Sequence, residues 1–160
     1  MPHLLSKKVA DVAPAVDVAE YILRKCGEMD AYKLEKLTFY SQAWSLAWGH
    51  GPIFPDKIEA WQRGPVIRSL FQRHAGKYLV ASVGGDVRSV EASARDRATI
   101  DAVIKFYFPM SGTQLSDLTH VEDPWVNARS GLAPNERGTA EITQEAIKKY
   151  YDGLASRAAS

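Results

Sequence analysis

The sequence predicts a mainly helical fold arranged around one central buried helix, with a small β component. Three observations predict it. The run Asp30 to Trp48 carries apolar side chains around so wide a girdle that a surface helix could not bury them. Most other apolar positions recur at helical spacing, and no strand–helix–strand rhythm appears that would build a parallel sheet. Glycine and proline then cut the chain into about six or seven short helical lengths.

Residues 1–15 read as a flexible N-terminal lead-in and residues 16–156 as one domain. Pro14 and Asp17 open a first helix that reaches Cys26, with Val18, Ala19, Ile22 and Leu23 on one face and Gly27 as its stop. Asp30 is the expected N-cap of the central helix. Leu34, Leu37, Ser41, Trp44 and Trp48 follow one helical row; Phe39, Tyr40, Ala43 and Leu46 fill the rest. Gly49 and Gly51-Pro52 end it.

Lys57 to Trp61 alternates, which predicts a short strand. Gly64-Pro65 predicts a helix start, since proline at the first helical position sacrifices no hydrogen bond. That helix runs to His74. Tyr78–Val83 and Asp86–Val90 around Gly84-Gly85 predict a hairpin. Ser93 with Asp96 marks the next helix start, and Pro109 its end. Short helices are expected over Thr113–Thr119 and after an Asp123-Pro124 cap, then a loop over Gly131–Gly138. Thr143 caps the last helix, whose tail from Ser156 should fray.

The 46% hydrophobic and 24% charged residues match an ordinary globular chain, which argues against wholesale disorder. Lys and Arg total 20 against 19 Asp and Glu, without a basic stripe, which argues against nucleic acid as a partner. The one cysteine, Cys26, excludes an internal disulfide and a multi-cysteine metal site. No segment is apolar over 18 residues and no leader pattern opens the chain, so the cytoplasm is the expected compartment and no membrane contact is expected.

Chemistry-bearing motifs are sparse. No phosphate-binding glycine loop or nucleophile elbow occurs, and the four histidines form no metal-ligand spacing. His120, Glu122 and Asp123 are the most enzyme-like group, a possible acid/base cluster. The plainer reading makes Asp123 a helix cap and leaves the other two in solvent. His74 reads as a cation at a helix C-terminus. The four tryptophans lie on or beside apolar patterns, so most are expected in the core. Tryptophan and arginine also anchor protein interfaces. Trp61-Gln62-Arg63-Gly64, between two regular elements, is the best candidate for a presented anchor.

The run KLEKLTFYSQAWSLAWGHGPIFPDKIEAWQRGPVIRSLF (33–71) resembles the signature of the Panacea antitoxin domain, a SocA-like, phage-associated family formerly described as a domain of unknown function. LSDLTHVEDPWVNAR (115–129) and EITQEAIKKYY (141–151) are similar to its later segments, so the likeness spans 16–151. The resemblance implies an antitoxin that neutralises a cognate protein toxin by direct contact. An alternative is a proteolytic adaptor that delivers the toxin to ClpXP; a weaker one is an enzyme using His120, Glu122 and Asp123. It implies no catalytic residue, cofactor or metal. It makes Leu37, Tyr40, Trp44, Gly51, Glu59, Gly64, Pro65, Val66, Pro124 and Trp125 scaffold positions. The N-terminal DNA-binding domain of some members is not expected in front of this signature. Partner contacts are expected from Trp61, Gln62, Arg63, Arg68, Tyr78, Arg88, His120, Glu122 and Asp123, with the 78–90 hairpin and the 131–138 loop choosing the partner.

Overall fold

The computed structural model describes residues 12–159; most of the lead-in, with His3, lies outside them. Among the described residues eight helices and five short strands follow in the order α1 (Ala15–Cys26), β1 (Met29–Asp30), α2 (Ala31–Ala47), β2 (Ile58–Trp61), β3 (Gly64–Ile67), α3 (Arg68–His74), β4 (Leu79–Val80), α4 (Arg88–Glu91), α5 (Ala94–Tyr107), α6 (Gly112–Thr119), α7 (Asp123–Ala128), β5 (Glu141–Ile142) and α8 (Gln144–Ala159). The fold is mainly α with a small β component, as the sequence predicts.

Helix α2 is the hub. Asp30 caps it by accepting from the Lys33 N–H at 2.8 Å. Helices α1, α5, α6 and α8 and strand β3 all pack on it. Leu34, Leu37, Phe39, Tyr40, Ala43 and Leu46 are buried, and so are Glu35, Lys36, Thr38, Ser41, Gln42 and Ser45. A helix wrapped on every side must bury its polar residues too, and each then needs a partner. Gln42 shows how: its carboxamide binds the Ile53 N–H and the Phe54 carbonyl, both at 2.8 Å, pinning the chain that leaves the helix.

Several expectations are corrected. Gly64-Pro65 does not open a helix. It lies in β3, which pairs antiparallel with β2 through Ile58–Ile67, Glu59–Val66, Ala60–Pro65 and Trp61–Gly64, so the hairpin turns on Gln62 and Arg63 alone. Ala60 points its N–H away, to the Ala140 carbonyl. Its opposite number Pro65, on an edge strand, therefore needs no donor, and a proline fits there. Only at Arg68 does a helix begin.

The hairpin expected over 78–90 does not form. Leu79 and Val80 pair with Met29 and Asp30 instead. The next residues are captured by carboxylates of α1. Glu20 accepts from the Val83 N–H at 2.8 Å and the Ser82 hydroxyl at 3.0 Å. Asp17 accepts from the Asp86 N–H at 2.9 Å. The loop lies so close to α1 that a Cβ on Gly85 would stand 2.4 Å from the Val16 carbonyl oxygen. Helix α4 then occupies the expected second strand.

Asp123 is the first residue of α7 rather than its cap, which is Glu122. The tail from Ser156 is helical as far as Ala159. Of the four tryptophans, Trp125 is buried, Trp44 and Trp61 are half-buried, and Trp48, where α2 stops, is 44% exposed. His74 is the last residue of α3, the helix C-terminus the sequence predicts, but it is buried, with its Nε2 2.7 Å from Glu35 Oε2. The expected caps Ser93 and Thr143 are in place, and Ser111 adds a reciprocal box with Gln114 at the start of α6.

Candidate functional site: a groove beside the β2–β3 hairpin

A groove of about 460 Å³ opens between the start of α2, the hairpin tip and the end of α3. Its walls include Tyr32, Trp61, Arg63, Phe71 and Tyr78, and Glu35, Lys36 and His74 lie beneath. Four of the residues expected to touch a partner meet here: Trp61, Gln62, Arg63 and Tyr78.

The hairpin is braced from both sides. On the inner side, Trp125 donates its indole N–H to the Trp61 carbonyl at 2.7 Å. Arg129 donates to the Ala60 carbonyl at 3.1 Å and also to the Ala133 and Glu136 carbonyls of the 131–138 loop. That segment is a loop, as expected, and Arg129 ties it to the hairpin. On the outer side, Glu59 accepts from Arg68 Nη2 and Trp61 Nε1, both at 2.8 Å. The Arg68 hydrogen bond is the main force holding the Glu59 carboxyl below its ordinary range; burial opposes it. The Trp61 ring meets Phe71 edge-on at 4.9 Å.

The lip is aromatic and cationic. Arg63 donates to the Tyr32 hydroxyl at 2.7 Å, and its guanidinium lies 5.4 Å from that ring's centre. Tyr78 is 68% exposed, while its backbone carbonyl accepts from the Ala31 N–H at 2.8 Å. A rigid backbone thus carries a free aromatic side chain.

The floor is ionisable. Glu35 uses both oxygens, one for the Ile67 N–H at 2.9 Å and one for His74. Lys36 is 1% exposed and donates to the Pro65 carbonyl at 3.2 Å. Burial pushes its ammonium down to about 8, against the pull of Glu35 and Asp30. Between about 8 and 10.5 the unfolded chain therefore holds a proton that the folded chain has released. Stability from this group rises with pH across that window. Lys36→Met is expected to flatten the rise without lowering stability at neutral pH, because an apolar side chain of similar length replaces a buried charge. Melting curves of both proteins from neutral to alkaline pH check this; the buried tyrosines act equally in both and cancel.

The remaining expected contacts lie elsewhere. Arg68 stands outside the groove beside Trp61. Arg88 is exposed and closed onto Asp86 at 2.8 Å. Asp123 is exposed. His120 is half-buried behind the hairpin, stacked on Trp125 at 4.2 Å. Burial, then nearby Lys36, push its imidazole below the ordinary range. Glu122 is not in solvent: it is buried, its Oε1 accepting from Tyr40 at 2.6 Å and Tyr151 at 2.7 Å. The three side chains expected as an acid/base cluster thus point to three different places. Among the described residues no group of three or more His, Cys, Asp or Glu is placed to hold a metal ion, and no helix is long and apolar enough to cross a membrane.

Sequence reasoning missed Tyr32, Glu35, Lys36, Phe71 and His74 as groove residues. A signal existed for two of them: a charged Glu35-Lys36 pair inside a helix apolar all round must be buried with partners.

A second hollow, about 570 Å³, lies between α2, α5 and α8 and is walled by apolar side chains such as Trp48 and Phe106. It gathers none of the expected anchors except the edge of Glu122.

No curated protein and no solved structure matches the chain. The family described as antitoxin SocA-like, Panacea domain, matches residues 34–126, from the first turn of α2 into α7. That span holds the scaffold positions from Leu37 to Trp125 and all of the groove except Ala31 and Tyr32. The chain belongs to the SocA-like antitoxin family and carries its Panacea domain.

Proposed function

We propose that this chain is an antitoxin that neutralises a cognate protein toxin by direct contact, and that the toxin docks on the groove beside the β2–β3 hairpin. The observation that carries the reading is the coincidence of the family match with the groove: the matched residues 34–126 supply its hairpin, its floor and α3. The side-chain chemistry supports it. Tryptophan, tyrosine and arginine dominate interface energies, and here Trp61, Tyr32, Tyr78 and Arg63 surround one concave surface. Their backbones are fixed by β pairing and by buried hydrogen bonds, so docking orders little new chain.

Co-expression with the product of the adjoining reading frame tests the reading. Growth should be restored, the two chains should co-purify, and the toxin's half-life should not change. Rescue without a complex, or rescue with a shortened toxin half-life that depends on a protease, would replace direct neutralisation with another mechanism. Tyr78→Ala gives a sharper check. Its exposed ring should contribute about 2 kcal/mol to binding. Unfolding free energy should move by no more than about 0.5 kcal/mol, because the carbonyl bond to Ala31 is kept. Titration calorimetry and denaturant unfolding read the two effects separately.

A further inference from the structure

The charges around the hairpin are unbalanced although the chain as a whole carries only +1. Lys36 is buried beneath the groove, and no ion pair among the described residues involves it. Arg129, buried behind the hairpin, binds three carbonyls and no carboxylate. Arg63, at the lip, donates to a tyrosine hydroxyl rather than to a carboxylate. Lys77 stands exposed on the opposite wall. The carboxylates nearby are already engaged: Asp30 with the Lys33 N–H as the α2 cap, Glu35 with the Ile67 N–H and His74, Glu59 with Arg68 and Trp61. Asp117, near His120, is exposed on α6.

A buried cation with no carboxylate in direct contact is costly, and a low-dielectric wall strengthens its pull on any anion brought against it. The cost of seating a carboxylate over Lys36 is lower than at an ordinary surface, because Lys36 has already lost its water. Beside it, the faces of Trp61 and Phe71 offer apolar contact to a neighbouring side chain. The cations converge on one short groove rather than running along a stripe, which suits a peptide carboxylate and not a phosphate backbone.

We infer that the segment received by this groove is acidic: an Asp or Glu carboxylate of the partner protein directed at Lys36 and Arg63, with an adjoining apolar or aromatic residue against Trp61 and Phe71. This rests on the reading that the groove is the toxin-binding surface, and it adds the chemistry of what enters. Lys36 acts as the buried counter-charge, and Arg63 and Lys77 steer the approach.

The test uses the full chain and the product of the adjoining reading frame as probe, with Kd and association rate measured at low and high salt. Wild-type affinity should fall as salt rises. Lys36→Met should weaken binding about thirtyfold while the melting temperature holds or rises. Arg63→Glu and Lys77→Glu, both at the surface, should each slow association about tenfold. Arg95→Glu, exposed on α5, should change neither. If the wild-type complex forms and the three groove variants bind as well as wild type, the acidic segment is overturned while the antitoxin reading stands. If the wild type forms no complex, both fail. Should Lys36→Met not fold, the two surface variants decide the matter alone.

Discussion

Glu122→Ala is expected to lower the unfolding free energy by about 3–5 kcal/mol. The Glu122 carboxylate is 4% exposed and accepts from both the Tyr40 and the Tyr151 hydroxyls, through one oxygen. Those two rings hold the centre of the core. Tyr40 stacks on Tyr107 at 4.1 Å and meets Tyr151 edge-on at 6.1 Å. Truncating the carboxylate strands two hydroxyls where water cannot reach and leaves a void between α2, α7 and α8. Glu122→Gln keeps an acceptor and should retain most of the stability. It also isolates a pH effect. Burial raises the Glu122 carboxyl above its ordinary range, more than the two hydroxyl donors lower it. A carboxyl raised on folding contributes stability that is full below its unfolded value and is lost as pH rises through the folded one. The difference between wild type and Glu122→Gln should therefore favour wild type most in acid and shrink towards neutrality. Calorimetric melting of both proteins across that range reads it.

Gly64→Ala should be comparably damaging, at about 3–5 kcal/mol. Gly64 closes the two-residue turn with φ +122°, a conformation that side-chain-bearing residues avoid. The added Cβ would also lie 2.5 Å from Lys36 Cε and 2.9 Å from Thr119 Oγ1. Neither neighbour can swing into solvent, since both are buried. The hairpin would have to lift, breaking the Pro65 carbonyl from Lys36 and the Trp61 carbonyl from Trp125. Circular dichroism melting measures the loss; a melting point within a degree or two of wild type would show that the tip is looser than these contacts imply.

How far the sequence alone reached follows from the same residues. Helix α2, its Asp30 cap and its role as hub were legible, because a wide apolar girdle has one physical solution. The strand at Ile58–Trp61 was legible from alternation, but its partner was not. Gly-Pro reads as a helix start as readily as a strand edge, and Gln62-Arg63 lacks the Asn-Gly signal of a tight hairpin. The opposite error occurred at Gly84-Gly85. There the turn residues are legible, but Glu20 and Asp17, more than sixty residues earlier, take the backbone N–H groups a second strand would have needed. Long-range capture of that kind leaves no local trace. The groove was half legible. Trp61 to Arg63 stood out as anchors, whereas Tyr32, Phe71 and the Glu35–His74 pair come together only when β3 folds back over α2.

Under the proposed reading the toxin sits on the hairpin groove. Hydrogen–deuterium exchange of the chain, free and in complex with the product of the adjoining reading frame, tests it most directly. Docking on the groove should give new protection at the start of α2, across the hairpin from Ala60 to Ile67 and over Gly76 to Tyr78, with α5 and α8 unchanged. Protection confined to the hollow around Trp48 and Phe106, with the hairpin exchanging as in the free chain, would contradict it.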